Sequence, residues 1–162
     1  MGITLLGVVV AALAGVGLFL GLDLRAMGQA QDAGAEAMAA ARAVAPGLLS
    51  YDYRTIERDL ARAGGYTTGR LTQHYKDLSA TLVPKAKAQK MVQTATVVAA
   101  AVEQADVDRV EVLLFVNTGT VKEIAGKAEP QQLVSKNRAR FVMIRQDSRW
   151  LVADLSTLLG AA

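Results

Sequence analysis

The sequence predicts an α+β protein in which an N-terminal transmembrane helix precedes helices packed on a curved antiparallel sheet. Residues 2–22 contain no charged side chain. Apolar residues then recur with helical spacing as far as Pro84, and beyond residue 92 the period changes to the two-residue alternation of strands. Helices that come before strands, rather than alternating with them, indicate an α+β fold.

Composition excludes several classes of function. The 18 basic and 15 acidic side chains leave a net charge of only +3, which is too small and too evenly spread for a nucleic-acid surface. The chain has no cysteine, so disulfides, thiolate metal sites and a cysteine nucleophile are excluded.

Residues 1–22 are predicted to form the transmembrane helix. About 21 uncharged residues span roughly 31 Å, close to the thickness of the hydrocarbon core of a bilayer. A cleaved signal peptide is the alternative, with Gly28 and Ala30 as small residues near a cleavage site. No basic residue precedes the apolar run, and the run is long for a signal peptide, so we expect a retained anchor. The flanking charges Asp23 and Arg25 are too few to set its orientation.

The predicted anchor carries small residues at four-residue spacing: Gly7, Ala11 and Gly15 in one series, and Gly17 and Gly21 in another. Small residues at this spacing let a second helix approach closely in lipid. We interpret them as packing positions for a partner helix, although glycine is common in membrane helices in general.

Residues 23–45 are predicted to prolong the membrane helix. This stretch is rich in alanine, which has the highest helix propensity, and Pro46-Gly47 is the first helix breaker. A folded domain is predicted over residues 46–158, followed by a short tail at 159–162.

Two further helices are expected at the start of this domain. Ser50 or Asp52 can cap a helix that buries Ile56 and Leu60 and ends at the Gly64-Gly65 pair. The next helix opens at residue 67 or 68 and ends before Pro84, with a buried stripe formed by Leu71, Tyr75 and Leu78.

Four antiparallel strands follow. They are predicted at residues 92–102, 110–117, 138–145 and 150–155, with tight turns at 106–109 and 146–149 and a long loop at 119–135. The strand at 110–117 is apolar on both faces, because Leu113 and Phe115 alternate with its valines. We therefore expect both sides of the sheet to be at least partly covered.

The polar residues do not form a catalytic set. His74 is the only histidine, and a role as general base beside Asp52 or Asp77 is possible. It lies about 100° around the helix from Tyr75, however, so a solvated position is favoured. Metal-ligand spacing and glycine-rich phosphate loops are absent from the sequence.

A partner surface is the other candidate site. Arg138 and Arg140 alternate on one strand face and could hold an anionic partner, although a solvated face explains them as well. Trp150 is the only tryptophan and suits either an interface or the edge of the core.

Four blocks of sequence resemble the Mce-associated membrane proteins of mycobacteria and related actinobacteria. They are LLSYDYRT at 48–55, VPKAK at 83–87, VEVLLFVN at 110–117 and RWLVADL at 149–155. The resemblance extends from Val44 to Leu155 and includes the preceding membrane helix.

The resemblance implies an exported domain like the periplasmic part of VirB8, itself similar to the NTF2-like cup, with no enzymatic activity and no cofactor. It implies a single-pass protein of the cytoplasmic membrane whose C-terminal domain lies outside the cytoplasm. Its partners would be the membrane permease and the Mce substrate-binding proteins of a lipid importer. The minimal cytoplasmic tail departs from the family, so contact with the ATPase is not expected. A cup that binds a small apolar ligand and a self-assembling VirB8-like scaffold are the alternatives.

Overall fold

A computed structural model describes the backbone of residues 2–127 and 129–158, with side chains for Arg25 and for residues 27–127 and 129–157. Within these residues the chain forms three helices and five strands. In chain order they are α1 (Gly2–Leu49), β1 (Tyr51–Asp52), α2 (Ile56–Gly64), α3 (Gly69–Ala88), β2 (Val92–Ala105), β3 (Arg109–Lys122), β4 (Gln131–Gln146) and β5 (Arg149–Leu158).

The strands form one antiparallel sheet in the order β1-β2-β3-β4-β5, so each strand pairs with its neighbour in sequence. The helices pack on one face of this sheet, which we call the inner face. The predicted α+β architecture is therefore confirmed. The two-residue strand β1 was not predicted, because a segment this short has no periodicity.

Alternate residues of β3, β4 and β5 lie on the inner face, and their side chains are buried. All of the following are 2% exposed or less: Val110, Val112, Leu114, Val116, Phe141, Met143 and Val152. Val112 lies opposite Phe141 and Leu114 opposite Ala139, so large and small side chains alternate across the strands. Each large side chain buried in this way contributes about 1.5–3 kcal/mol to stability.

A stripe of alanines brings α1 close to the sheet. Ala33, Ala37, Ala41 and Ala45 are four residues apart and are buried. Gly34 belongs to the same contact, because a Cβ at that position would lie 3.2 Å from the Cβ of Ala105. Because α1 carries no side chain longer than a methyl group at these positions, the helix lies close to β2.

The helices α1 and α3 both continue past a proline that was expected to end them. α1 passes through Pro46 to Leu49, and the Ser50 N–H donates to the Pro46 carbonyl at 3.0 Å. α3 passes through Pro84 to Ala88. A proline removes one helical hydrogen bond, and the last turn of each helix is held instead by burial of Leu48 and Ala86.

The cap of α2 differs from the prediction. Thr55 occupies the N-cap position, while Asp52 lies in β1. The Asp59 carboxylate reaches back instead, accepting from the Thr55 hydroxyl at 2.7 Å and from the Asp52 N–H at 3.2 Å. The buried residues Ile56 and Leu60 are as predicted.

The β3–β4 hairpin is longer than expected. The predicted loop at 119–135 is paired strand except at 123–130, since Lys122 lies opposite Gln131. The two strands pair through backbone hydrogen bonds, which polar side chains do not prevent. The predicted turn at the β4–β5 hairpin is confirmed, with Asp147 and Ser148 at φ 46° and 62°, as a two-residue hairpin turn requires.

The predicted transmembrane segment, residues 1–22, lies outside the residues whose side chains the structure describes, as do its packing positions Gly7, Ala11, Gly15, Gly17 and Gly21. Among the residues that the structure describes in full, no helix combines the length and the apolar character needed to cross a bilayer.

Candidate interaction surface

The face of the sheet that points away from the helices carries a mixture of apolar and basic side chains. We call it the outer face and define it by seven residues of β2, β3 and β4: Ala99, Ala101, Leu113, Phe115, Lys136, Arg138 and Arg140. Phe115 lies between Ala99 and Arg138, and Leu113 between Ala101 and Arg140. Cross-strand neighbours share a face of the sheet, so the register itself places these side chains together.

The outer face is not covered by the described part of the chain. Phe115 is 41% exposed, and Leu113 is half-buried by its neighbours on the sheet. The expectation that both sides of the sheet are at least partly covered therefore fails at Phe115, although Val142, on the same side of β4 as Arg138 and Arg140, is only 8% exposed. The reason is topological, since α1, α2 and α3 all pack on the inner face.

Two bulges shape the edge of the outer face. The register of β2 against β3 shifts between Val97 and Ala99 and again between Val102 and Gln104, which leaves Val98 and Glu103 as the extra residues. Bulges bend a strand and redirect side chains. Here the second bulge turns Glu103 toward Arg140, and the carboxylate accepts from the Arg140 guanidinium, with the Nη2 contact at 3.2 Å. That contact lowers the pKa of Glu103.

The cations of the outer face are not equivalent. Arg140 is engaged by Glu103, whereas Arg138 and Lys136 are exposed and have no ion-pair partner within the described residues. Of the two arginines predicted as a partner surface, Arg138 is thus the one whose charge is exposed and unpaired among the side chains that the structure describes.

Trp150 lies on the inner side of the sheet, away from Arg138 and Arg140. Its indole N–H points at the Glu36 carboxylate of α1 at 3.4 Å, and the Arg145 guanidinium lies 4.8 Å above the ring. Arg145 also pairs with Glu36. Trp150 therefore helps to fasten α1 to the β4–β5 hairpin, and the three residues of the predicted partner surface do not form one site.

His74 does not assemble a catalytic group. It is exposed on α3, while Asp77 accepts from the Gln73 amide at 2.8 Å. Asp52 is held by Arg54, which lowers the pKa of Asp52 to about 2. Among the described residues, no three His, Asp or Glu side chains are grouped as metal ligands.

The interior of the cup contains a groove of about 260 Å³ between α1, α3 and the sheet, lined mostly by leucine and tyrosine. His74 and Tyr51 also line this groove, and three of its other polar groups are engaged in structural contacts. The Tyr75 hydroxyl donates to the Leu48 carbonyl at 2.9 Å, the Gln93 amide donates to Leu49 at 2.7 Å, and the Ser50 hydroxyl accepts from the Ala95 N–H at 2.9 Å. Burial raises the pKa of Tyr75 to about 12, so this phenol is neutral at physiological pH and poorly suited to acid–base chemistry.

The signal for the outer face was present in the sequence, in the two apolar phases of the strand at 110–117. It was interpreted as a covered face, because periodicity cannot tell which of two apolar faces the helices occupy. Lys136 lies between the predicted loop at 119–135 and the predicted strand at 138–145, so its alignment with Arg138 and Arg140 was not recognised.

A protein-family model described as "Uncharacterized protein Rv1363c/MT1408-like" matches residues 2–146. The chain is 35% identical over 154 residues to a protein of Mycobacterium tuberculosis H37Rv called outer membrane protein Rv1973, covering 94% of this chain and 92% of that protein. It is 31% identical over 132 residues to uncharacterized protein Rv1362c of the same strain, covering 79% of this chain. The chain spans 58% of the length of Rv1362c.

Solved structures share the fold at low sequence identity. An IcmL-like type IV secretion system protein of Legionella pneumophila superposes with a TM-score of 0.57 at 10% identity, covering 76% of this chain and 91% of that one. CagV, a VirB8 homolog of Helicobacter pylori, gives 0.55 at 8% identity, covering 74% and 96%. An Ntf2-like protein involved in plasmid conjugation gives 0.54 at 13% identity, covering 79% and 50%. The expected VirB8-like and NTF2-like fold is confirmed.

Proposed function

This chain belongs to the Rv1363c/MT1408-like family, and from that premise we propose that it is a non-catalytic accessory subunit of an Mce-type lipid import complex. In this proposal residues 1–22 anchor it in the cytoplasmic membrane, and the α+β domain lies outside the cytoplasm. Its partners are the permease and the Mce substrate-binding proteins.

The observation that carries the proposal is the way α1 joins the N-terminal segment to the domain. α1 is a single 48-residue helix, about 72 Å long. It begins in the uncharged segment and ends against the sheet, where Ala37, Ala41 and Ala45 are fully buried. An anchor at its N-terminal end would therefore be rigidly coupled to the domain, as expected of a subunit that fixes the position of its partners.

The ion pair between Glu36 and Arg145 strengthens this coupling. It joins the C-terminal part of α1 to the end of β4, where the Arg145 guanidinium stacks on the ring of Trp150. The domain therefore cannot swing freely about α1 without breaking a charged contact and exposing an aromatic ring. A simple tether would need neither feature.

The polar groups support a non-catalytic role. His74 is solvated, Asp52 is paired with Arg54, and the hydroxyl of Tyr75 is used to hold the end of α1.

The comparisons support placement in a membrane-associated assembly. One mycobacterial relative carries the name outer membrane protein, in keeping with a location outside the cytoplasm. Two proteins of similar fold belong to type IV secretion systems. The assignment to an Mce importer itself comes from the four sequence blocks described above.

Affinity purification from native membranes tests the proposal. The tagged full-length chain is expected to bring down a permease and Mce substrate-binding proteins, identified by mass spectrometry. A chain that purifies from membranes without either class of protein would contradict the proposal.

Substitutions in the anchor test the helix-docking part separately. Gly17→Leu combined with Gly21→Leu is expected to abolish co-purification of the permease, because the larger side chains prevent close helix approach. The matched control is Val9→Leu combined with Val16→Leu, at positions that lie about 80–140° around an ideal helix from the two glycines. Equal loss in both variants would indicate a general insertion defect instead of lost docking.

A self-assembling scaffold is the second candidate, and the VirB8-like fold favours it. Light scattering of the detergent-solubilised full-length chain distinguishes the two. A defined oligomer of this chain alone supports the scaffold, whereas a monomer that oligomerises only with the importer supports the accessory subunit.

A further inference from the structure

We infer that the outer face is a docking surface for a partner protein segment with an apolar centre and an acidic rim. This inference rests on the proposed function, because it specifies the surface through which the domain would contact the complex. It is carried by the register of β2, β3 and β4, by the exposure of Phe115 and by the distribution of charge.

The centre of the outer face is apolar and its surface is uneven. Phe115 and Leu113 project from β3, while their neighbours on β2 are Ala99 and Ala101. Two bulky side chains beside two methyl groups make a ridge and a shallow recess. An apolar partner side chain can fill the recess and bury the exposed ring of Phe115, which is the arrangement found at the centres of protein interfaces.

One flank of the outer face is basic. Arg138 lies opposite Phe115, and Lys136 lies two residues away on the same face of β4. Neither has an ion-pair partner within the described residues. Glu103, the acid at the opposite edge, is already engaged by Arg140. The positive charges of this flank therefore call for negative charges on the partner, so a complementary partner presents Asp or Glu beside its apolar residues.

A second copy of this chain fits the outer face poorly. A two-fold pairing places the same patch on both sides of the interface. The seven residues of this patch include three basic side chains and no acidic one, so the patch of a second copy offers Arg138 and Lys136 no opposite charge. The basic flank therefore argues for a different protein.

A lipid surface also fits poorly. α1 packs on the inner face, so its axis lies parallel to the plane of the sheet, and the outer face points sideways from that axis. If α1 rises from the membrane, the outer face is turned toward neighbouring proteins and not toward the bilayer.

Site-specific photocrosslinking in native membranes tests the inference. The photoreactive amino acid p-benzoylphenylalanine replaces Phe115 in the full-length chain, and the same probe at Ala80, exposed on α3, is the control. We expect the probe at Phe115 to crosslink a partner protein, with a mapped segment that carries carboxylates beside apolar residues, and the probe at Ala80 not to reach it.

Charge reversal gives the decisive comparison. Arg138→Glu is expected to reduce the crosslink at least tenfold, whereas the control Arg58→Glu on α2 is expected to leave it unchanged. When the mapped carboxylate residue of the partner is replaced by Lys, we expect the crosslink from the Arg138→Glu chain to be restored. A crosslink to a second copy or to lipid, no crosslink, or a crosslink insensitive to Arg138→Glu would overturn the inference.

The same membranes separate this inference from the proposed function. Immunodetection of the permease in the purified complex reports on the accessory role, independently of the crosslink. A complex that forms without a crosslink from Phe115 refutes only the docking surface. A crosslink to an acidic segment without any importer subunit refutes only the Mce assignment.

Discussion

The same strands form the inner and the outer face of the sheet, but the helices bury only the inner face. On β3, Leu114 and Val116 are almost completely buried, whereas their neighbour Phe115 is 41% exposed. The difference arises because all three helices pack on one side. A strand that is apolar in both phases therefore has one phase that its own domain does not cover, and exposed apolar surface of this kind commonly marks an interaction site.

Charged residues repeat the contrast between the two faces. On the inner side, Arg145 is committed to Glu36 and stacks on Trp150. On the outer face, Arg138 has no such partner among the described residues. Arg145 therefore helps to hold the fold together, whereas Arg138 is available to another molecule.

Phe141 on the inner face and Phe115 on the outer face provide the largest test of this comparison. Phe141→Ala on the inner face is expected to destabilise the chain by about 3–5 kcal/mol, because it leaves a cavity in a site that is 0% exposed. Phe115→Ala on the outer face is expected to cost less than about 1 kcal/mol, since much of the ring is already in water. Chemical denaturation of the full-length chain in detergent, followed by Trp150 fluorescence, measures both. Similar losses from the two substitutions would show that the outer face is part of the core.

The contact between α1 and the sheet is tested next. Ala41→Leu is expected to destabilise by about 1–3 kcal/mol, because the larger side chain cannot fit between the helix and β2. Ala43→Leu is the matched control, since this residue is exposed on the same helix and the change should stay within about 0.5 kcal/mol. The same denaturation assay applies. Equal effects at the two positions would mean that α1 does not rest on the sheet through its alanine stripe.

The phenol of Tyr75 offers a smaller effect with a pH signature. Tyr75→Phe removes the bond to the Leu48 carbonyl and is expected to cost about 1 kcal/mol at pH 7. The folded pKa of Tyr75 is raised from 10.0 to about 12, so the unfolded chain ionises first as the pH rises. The stability that depends on the neutral phenol is thus present below pH 10 and is lost between pH 10 and pH 12.

Tyr75→Phe should therefore flatten the fall in the free energy of unfolding over that interval. Denaturation curves at several pH values between 9 and 12 give the comparison with the unsubstituted chain. Parallel pH profiles for the two proteins would show that the hydroxyl is solvated, contrary to its buried position.

The sequence predicted the elements that depend on local periodicity and failed where packing decides. The alternation at 110–117 located the central strand, and Ile56 and Leu60 located α2. Pro46 was expected to end α1, but the helix continues to Leu49, because burial of Leu48 outweighs one lost hydrogen bond. Residues 119–122 were expected to be a loop, although backbone pairing needs no apolar side chains.

The candidate site was only partly predictable for the same reason. Arg138 and Arg140 alternate in the sequence, so their shared face follows from strand geometry alone. The side of the sheet on which Trp150 lies depends on where α1 packs, which no local pattern records. The exposure of Phe115 likewise follows from the absence of a helix on that side within the described residues.

Arg138→Glu is expected to have the smallest effect on stability, within about 0.5 kcal/mol, because the side chain is exposed and makes no ion pair with a described residue. Arg140→Glu, two residues away on the same strand, should cost more, since it replaces the partner of Glu103 with a like charge. Denaturation in the same assay compares the two. If Arg138→Glu were the more damaging change, the charge of the outer face would serve the fold, and the contrast between a structural inner face and an available outer face would fail at its most sensitive point.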